Sequence, residues 1–597
     1  MKTKRGPLFV IGITASIALA VVSFSACGKG TQANIVVHLT NAPGTLTINQ
    51  SVNLTANVGN DSSNAGVDWS CTGSGDCGTF DPVHTASGAT TVFMAPASPG
   101  TVTVTATATA DSSVKASVNI SIVPIGSNSM LNGPYVFSVG GVDTSGSYTA
   151  AGTIIADGNG NITGGEQDYA DESIQAGPDA VTGSYSIGTD GRGSMTLNVN
   201  NANLPHNGVE TFSIALTSAT HAFVIQFDGT ATSSGSLDFQ AASALDPTAI
   251  SGAFAFTAQG VDIVNQVPIT HGGVLLMSAS SGSIASGTYF ENDGGSTFTS
   301  ALAGSVTAQD SFGRGTLGFS VGVNFVYYAV QGQVLRLVEK DVPSLMTGGS
   351  MYGQGAAGTN ATYSNASLAG NYVLSLAGGS VYGPLALAGQ FSADGAGNFT
   401  AGVADTNDAG EATLAPIAGQ ARYSLAGDGA GTLDLPPAVD TLGSVSSLLI
   451  FAVDPTLNLL DPNSTSGGGG ALVMDYDVSA VGSGFILPQS SGAFEGNYAV
   501  NLQFVGDNGE NDWVGQSVAS GGALTGTLDI NDYGTTSAGV SFTGTFTADT
   551  TYPGRWTGSF TVGTTSHQII YYQVSPTLLV IVDTDTADVG IGIMEKQ

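Results

Sequence analysis

The sequence predicts an all-β chain: an amino-terminal antiparallel β-sandwich followed by four tandem antiparallel β-barrel (or sandwich) repeats. Three observations predict it. Apolar and polar residues alternate in strand-length runs, and helical periodicity is absent almost everywhere. Clusters of Gly, Asn, Asp and Ser, the residues that tolerate tight hairpin turns, separate those runs. One stretch also returns four times, as Leu131-Asn132-Gly133-Pro134-Tyr135-Val136-Phe137, Ile250-Ser251-Gly252-Ala253-Phe254-Ala255-Phe256, Leu368-Ala369-Gly370-Asn371-Tyr372-Val373-Leu374 and Phe494-Glu495-Gly496-Asn497-Tyr498-Ala499-Val500. Its glycines are 119, 118 and 126 residues apart, and a fixed period of this kind marks an array of one structural unit.

The chain of 597 residues has room for about four domains of ~150 residues. Hydrophobic residues are 42%, enough for several cores, while charged residues are 10% against an ordinary ~25%. The 85 glycines are about twice the usual ~7% share. Twelve Lys and Arg face 45 Asp and Glu. Three of the basic residues (Lys2, Lys4, Arg5) belong to a leader, so the mature chain stands at 9 − 45 = −36. A field of that sign repels phosphate backbones and excludes nucleic acid as a partner.

The leader itself follows a secretory pattern: a basic start, an apolar run from Leu8 to Phe24, then Ser25-Ala26-Cys27-Gly28. Small residues ahead of a Cys resemble the lipobox of bacterial lipoproteins, with Phe24 where Leu is usual. The resemblance implies a signal peptide at 1–26, a lipidated Cys27 heading a short linker (27–33), and a bacterial cell-envelope location, lipid-anchored and extracytoplasmic, at the outer membrane or cell surface. The alternative is an uncleaved anchor, because Leu8 to Ala26 is 19 residues, close to the ~20 that span a bilayer. With Cys27 set aside, Cys71 and Cys77 remain as an even pair in an oxidising compartment. They flank Thr72-Gly73-Ser74-Gly75-Asp76, a turn able to bring them together as a disulfide.

Residues 34–125 break into short strands, with period-two alternation in Ser51 to Val58, Thr101 to Thr107 and Val114 to Val123. Val67-Asp68-Trp69-Ser70-Cys71, Gly78-Thr79-Phe80, Phe93-Met94-Ala95-Pro96 and the closing Thr/Val strand resemble the bacterial Ig-like (BIG-type) domains of envelope and adhesion proteins. That likeness implies a spacer or adhesive module with Trp69 between its sheets.

The repeats follow at 131–249, 250–346, 368–493 and 494–597, with a Gly/Ser-rich linker at 347–367 and an internal loop at Ser464 to Gly470. Each has about eight strands with hairpin-length connections, which favours an up-and-down barrel because closure removes edge strands. A first hairpin turn, Asp157-Gly158-Asn159-Gly160-Asn161, recurs as Asp394-Gly395-Ala396-Gly397-Asn398. A second hairpin places Arg192, Arg314 and Arg555 at one repeat position, filled by Ala430 in the third repeat. Such an Arg covers an aromatic ring with its stem and meets a carboxylate or turn carbonyls with its head; an anion contact is the functional alternative. These Gly-rich units resemble β repeats of bacterial envelope lipoproteins, a likeness that implies no activity.

The sequence has no H-E-x-x-H, G-x-S-x-G, Walker loop or paired C-x-x-C. The best metal lead is calcium, with Asp157, Asn159, Asn161 and Asp168 at positions 1, 3, 5 and 12 of a loop, though Ile162 occupies the position that needs Gly. The alternative is a hairpin turn followed by an acidic residue. A second acidic cluster, Asp583, Asp585 and Asp588, reads as solvated charge. The function these signs support is a cell-envelope lipoprotein with a structural or adhesive, surface-binding and non-catalytic role, held to the membrane by its lipid and binding a glycan or an envelope or matrix protein. The alternatives are a lipocalin-like carrier, which needs hollow barrels, and a hydrolase acting on glycans, which needs paired carboxylates.

Overall fold

The computed structural model describes residues 34–597 apart from positions 41, 49, 74, 97, 98, 125, 356–361 and 507. Cys27 and the whole signal-peptide reading therefore lie outside the described residues. The described chain is all-β, and its helical elements are four short 3-10 turns. Among these residues no helix is long and apolar enough to cross a membrane.

Val36 to Val123 forms two sheets. One has the strand order Val36–Thr40, Ser51–Gly59, Thr90–Met94, Thr79–Asp81; the other has the order Thr45–Thr47, Lys115–Val123, Gly100–Ala108, Val67–Thr72, His84–Thr85. Trp69 is 5% exposed and stacks on Phe80, which in turn meets Phe93. Its indole N–H donates to Thr85 Oγ1 at 2.9 Å, so its one polar atom is satisfied inside the module. Cys71 and Cys77 are joined by a disulfide.

From Asn132 onward the chain builds closed eight-stranded barrels and nine-stranded sheets in series. The first unit (Asn132–Asp143 through Ala231–Phe239) and the fourth (Gly496–Gly506 through Val589–Lys596) are closed barrels of eight antiparallel strands. The second and third depart from the expected count: each is a nine-stranded sheet. The extra strand comes from a break. Where the first unit runs one strand over Gln175–Ile187, the second has Ser296–Ala301 and Gly304–Val306, and the third has Glu411–Pro416 and Arg422–Leu425. In the second unit both pieces pair with Ser283–Asp293, and the pairing of Val267–Ser278 with Ser283–Asp293 closes the circle. In the third unit Pro416 ends the first piece with a residue that has no ladder N–H, and Arg422 meets Asn398 across a single bridge.

All four interiors are filled. Tyr135, Phe137, Tyr148, Tyr169 and Phe212 pack inside the first unit, and each of the other three has its own apolar core. Filled barrels remove the lipocalin-like alternative. A further core lies outside the barrels and is shared by all of them. It takes Val136 and Ala151 from the first unit, Val274 and Tyr328 from the second, Phe451 and Met474 from the third, and Tyr572 and Val580 from the fourth. The late strands explain how. In Ser447–Ala452, residues Leu448, Ile450 and Ala452 point into the barrel while Leu449 and Phe451 point into the shared core. A strand buried on both faces carries an unbroken apolar run.

The four units close on themselves. The second strand of each packs on the last strand of the next: Gly146–Asp157 on Leu345–Gly353, Val267–Ser278 on Ala480–Pro488, Pro384–Asp394 on Val589–Lys596, and Gly509–Ser520 back on Ala231–Phe239. Head-to-tail contacts whose rotation closes make a ring. The stretch read as a linker at 347–367 begins inside this ring, because Leu345–Gly353 is the closing strand of the second unit. Its glycines mark close approach: a Cβ on Gly348 would lie 2.2 Å from Thr149 Oγ1 of the first unit, and one on Gly349 would lie 2.0 Å from Thr257 O.

Since the outer faces of the late strands are buried only by neighbouring units, an excised first unit (residues 127–240) is expected to bind a hydrophobic dye and to lack a cooperative thermal transition. Residues 127–597 together are expected to unfold in one calorimetric step, and four separable steps would contradict the shared core.

Candidate functional site

The repeat-equivalent arginines do meet carboxylates, and each reaches one in the neighbouring unit. Arg314 of the second unit donates from Nε and Nη2 to Asp168 of the first at 2.6 and 2.9 Å, and Tyr328 adds its hydroxyl at 2.7 Å. Arg555 of the fourth holds Asp405 of the third in the same way, at 2.7 Å twice, with Tyr572 on the same carboxylate. Arg192 of the first unit is bound to Asp190 at 2.9 Å and reaches Asp529 of the fourth at 3.4 Å. Ala215 stands where the other two arginines have their Tyr, and the junction of the second and third units replaces the whole set. Ala430 stands for Arg, Phe451 for the Tyr paired with it, and Phe290 for the Asp, with the two rings 5.7 Å apart. A buried ion pair has been exchanged for aromatic packing.

Two amide positions add to the junctions, an Asn at three of them and a Gln at all four. Asn292 donates to the carbonyls of Asp475, Asp477 and Ala480 of the next unit, Asn407 to those of Asp583, Asp585 and Asp588, and Asn531 to those of Gln226 and Ala231. The residue after each last strand is Gln. Gln240, Gln354, Gln489 and Gln597 donate in turn to the carbonyls of Ala329, Ala452, Gln573 and Leu216. Sequence reasoning missed both. Their signals are the tetrads Asp405-Thr406-Asn407-Asp408 and Asp529-Ile530-Asn531-Asp532, and a Gln closing every repeat.

The calcium reading does not survive the geometry. Asp157 accepts the N–H of Asn159 and both the N–H and side-chain amide of Asn161, which closes the hairpin turn and, led by the Asn161 amide, pulls its pKa down to about 2. Asp168 lies at the far end of the adjoining strand, six residues beyond Ile162 or about 20 Å at ~3.3 Å per residue, and is committed to Arg314 and Tyr328. Nor is the second acidic cluster simply solvated. Asp583 is fully buried, and His567 Nδ1 lies 3.2 Å from it, 3.7 Å from Asp585 and 3.6 Å from Asp588. Among the described residues, His567, Asp583 and Asp585 are the group whose donor atoms sit close enough for a metal ion, within 4.8 Å of one another. Burial works against a charged His567, but the Asp583 hydrogen bond and the charges of Asp583, Asp588 and Asp585 together outweigh it, and the imidazole pKa is raised.

A concavity lies among the four units. It has a volume of 640 Å³, inside the ~300–1,000 Å³ usual for small-molecule sites. All four units line it, through Tyr148 and His221, Arg336 and Tyr352, Phe485 and Ser483, and Asn501 and Gln503. The loop between Ser447–Ala452 and Ala471–Asp475 of the third unit reaches across to it. Leu459 and Leu460 join the wall, Leu459 O accepts from Tyr352 Oη at 2.7 Å, Pro462 O accepts from Gln331, and Asn463 donates to Thr220 and Phe239 O.

Behind one wall sits a buried charge cluster. Asp238, fully buried, accepts His221 Nδ1–H at 2.7 Å and Arg336 Nη2–H at 2.6 Å. Arg336 Nη1 donates to Ser350 Oγ and Tyr352 Oη, each at 2.9 Å. Burial opposes charge on His221, yet the Asp238 hydrogen bond and charge prevail and its pKa rises to about 9. Burial likewise opposes the Asp238 carboxylate, but Arg336 and His221 bring it down to about 2. Glu595, with an oxygen 3.6 Å from His221 Nε2, is pushed by burial up to about 7.

These features define an all-β protein whose barrel units form a ring around one cavity. No protein-family model matches the chain, and no curated protein matches it in sequence. Among solved structures it is similar to a variant of the vaccine antigen transferrin binding protein B from Haemophilus parasuis Hp5, with 8% identity over 78% of this chain and 96% of that one and a TM-score of 0.18. Kievitone hydratase from Nectria haematococca aligns at 8% identity over 60% and 95%, with a TM-score of 0.15. Intact Ap-TbpB, with its N and C lobes, aligns at 9% identity over 97% and 98%, with a TM-score of 0.13. Scores this low carry no argument for a shared function.

Removing one member of a buried pair strands the other. Asp405→Ala is therefore expected to cost roughly 3–5 kcal/mol by chemical denaturation, and the triple change R555A/D405F/Y572F, which copies the junction of the second and third units, to recover most of it. His221 gives a pH test. Its folded pKa lies above the unfolded ~6.5, so its contribution is complete below pH 6.5 and is lost as pH rises through about 9. The loss is on the order of 3 kcal/mol, and the His221→Asn protein is expected to lack that part of the slope between pH 6.5 and 9.

Proposed function

We propose that this chain is a non-catalytic, surface-binding protein of the bacterial cell envelope, tethered through Cys27, with an Ig-like module and a ring that takes a small polar molecule into its central cavity. The observation that carries the reading is the cavity: 640 Å³ of space walled by all four units, beside barrel interiors already filled by their own side chains. The envelope location is supported by the leader pattern around Cys27 and by the Cys71–Cys77 disulfide, which suits an oxidising compartment.

An adhesive role through many equal surfaces is less well supported. The repeat-equivalent residues Arg314, Arg555, Asn292, Asn407 and the closing glutamines are spent between units and are not offered outward. The hydrolase alternative needs two carboxyl groups facing a substrate. Among the described residues that line the cavity there is no Asp or Glu.

Ser483 faces the cavity and donates to Gln259, so Ser483→Trp places an indole where the ligand would sit. With a mixed library of sugars, amino acids, organic anions and amphiphiles, native mass spectrometry of the mature chain is expected to give retained ligands that the S483W protein loses. A library with no S483W-sensitive ligand would sink the cavity as the binding site.

A further inference from the structure

We propose that the fourth unit holds a divalent transition-metal ion of the zinc class between His567 and the carboxylates of Asp583, Asp585 and Asp588.

Carboxylates in a turn are ordinary; the imidazole among them is not. Strand register aligns the four units here. Ile569 pairs with Asp583 as Phe212 pairs with Gln226, Phe325 with Glu339 and Leu448 with Asp475. Two residues after the second member of each pair stands an aspartate: Asp585, Asp228, Asp341 and Asp477. Each accepts a backbone N–H, from Gln568, Thr211, Asn324 and Ser447 in turn. That aspartate is therefore a fixture of the turn. The two other positions are not. His567 stands where the first three units have Glu210, Val323 and Ser446, and Asp588 stands where they have Ala231, Ser344 and Ala480. The turn folds three times without them, so their presence in the fourth unit has a reason beyond the turn.

The geometry supplies it. His567 is 5% exposed, and its ring is held by Phe504, stacked at 5.6 Å, and by Trp513, edge-on at 5.1 Å. Its Nδ1 is thereby aimed at one oxygen of each carboxylate, 3.2 Å from Asp583, 3.7 Å from Asp585 and 3.6 Å from Asp588. The last two distances are too long for hydrogen bonds. They suit atoms that share an ion, because ligands at ~2.1 Å from a tetrahedral zinc lie about 3.4 Å from one another. As a hydrogen-bond donor, Nδ1 has one proton for three carboxylates. An ion at the centre meets all three and takes the Nδ1 lone pair as its fourth ligand. Among the described residues, the ion pairs of Asp583 and Asp585 are with this imidazole and with no Lys or Arg. His567 and Asp583 form a buried floor, while the side chains of Asp585 and Asp588, 21% and 23% exposed, give the ion its way in. From the other side Asn407 of the third unit donates to the backbone carbonyls of these same three aspartates, which fixes the loop.

The donor set selects the ion. An imidazole suits zinc, and carboxylates extend the choice to manganese. Calcium takes six to eight oxygen ligands and is served poorly by one nitrogen and three side-chain carboxylates.

The test is isothermal titration calorimetry of the metal-stripped mature chain with ZnCl2, MnCl2 and CaCl2. The third unit supplies the variants: His567→Ser and Asp588→Ala install the residues, Ser446 and Ala480, with which it makes the same turn. The wild type is expected to bind one Zn²⁺ per chain, Mn²⁺ more weakly and Ca²⁺ not measurably. H567S and D588A are each expected to weaken zinc binding at least tenfold and to lose the rise in melting temperature that zinc gives the wild type, with cooperative melting in chelator confirming that both fold. His84→Ser, at the exposed pair of His84 and Asp68, is expected to leave zinc binding unchanged. A wild type that binds no zinc, undiminished binding in folded H567S and D588A, or loss in H84S alone would overturn the site. Calcium bound in preference to zinc would overturn the class of ion.

Discussion

Each unit of the ring donates side-chain hydrogen bonds to backbone carbonyls of the next, and the rest of the structure depends on that contact. The closing glutamines do it at all four junctions, with Gln597 of the last unit reaching Leu216 O of the first. The asparagines do it at three. A carbonyl at a strand end normally faces water. Here it is covered by a neighbouring barrel and must find a donor inside the protein, or pay for its burial. The amides remove that cost, and in doing so they set the register of one barrel on the next.

The guanidinium–carboxylate pairs add orientation. A bidentate fork fixes the angle of approach as well as the distance, and Tyr328 and Tyr572 occupy further acceptor capacity on Asp168 and Asp405. The junction of the second and third units shows that the pair is one solution among others. Ala430, Phe451 and Phe290 replace all three partners together. Replacing one alone would leave an uncompensated charge in a water-free site. Buried ion pairs are often near break-even against well-packed apolar groups, which is why both solutions coexist in one ring.

Closure produces the cavity. Barrels filled by Tyr, Phe and Leu hold no ligand themselves, but four barrels placed head to tail leave a space between their first and last strands. Those strands are rich in Gly and Ser because the backbones approach closely there, as Gly348 and Gly349 show. The same approach exposes polar edges to the space, and Leu459 and Leu460 from the third unit's loop line part of it. The cluster of His221, Asp238 and Arg336 takes side chains from two units and faces Glu595 of a third. The geometry of this wall therefore exists only in the assembled ring.

The sequence by itself determined the all-β class, the repetition of an antiparallel unit and the Cys71–Cys77 pair, because those follow from local patterns: alternation, turn residues, a recurring stretch and a short loop between two thiols. It also placed Arg192, Arg314 and Arg555 at equivalent positions and pointed to carboxylate partners. The tertiary structure alone decided that the partners lie in the adjoining unit, that Asp168 answers to Arg314 and not to a cation held with Asp157, and that residues 347–353 close a barrel instead of loosening a linker. The physical reason is range. Alternation and turn chemistry act over a few residues, whereas Arg314 and Asp168 are 146 residues apart in the chain, and their meeting is set by how whole barrels pack. Unbroken apolar late strands such as Leu578–Asp583 did carry the news that both faces are buried, but only the packed ring says against what.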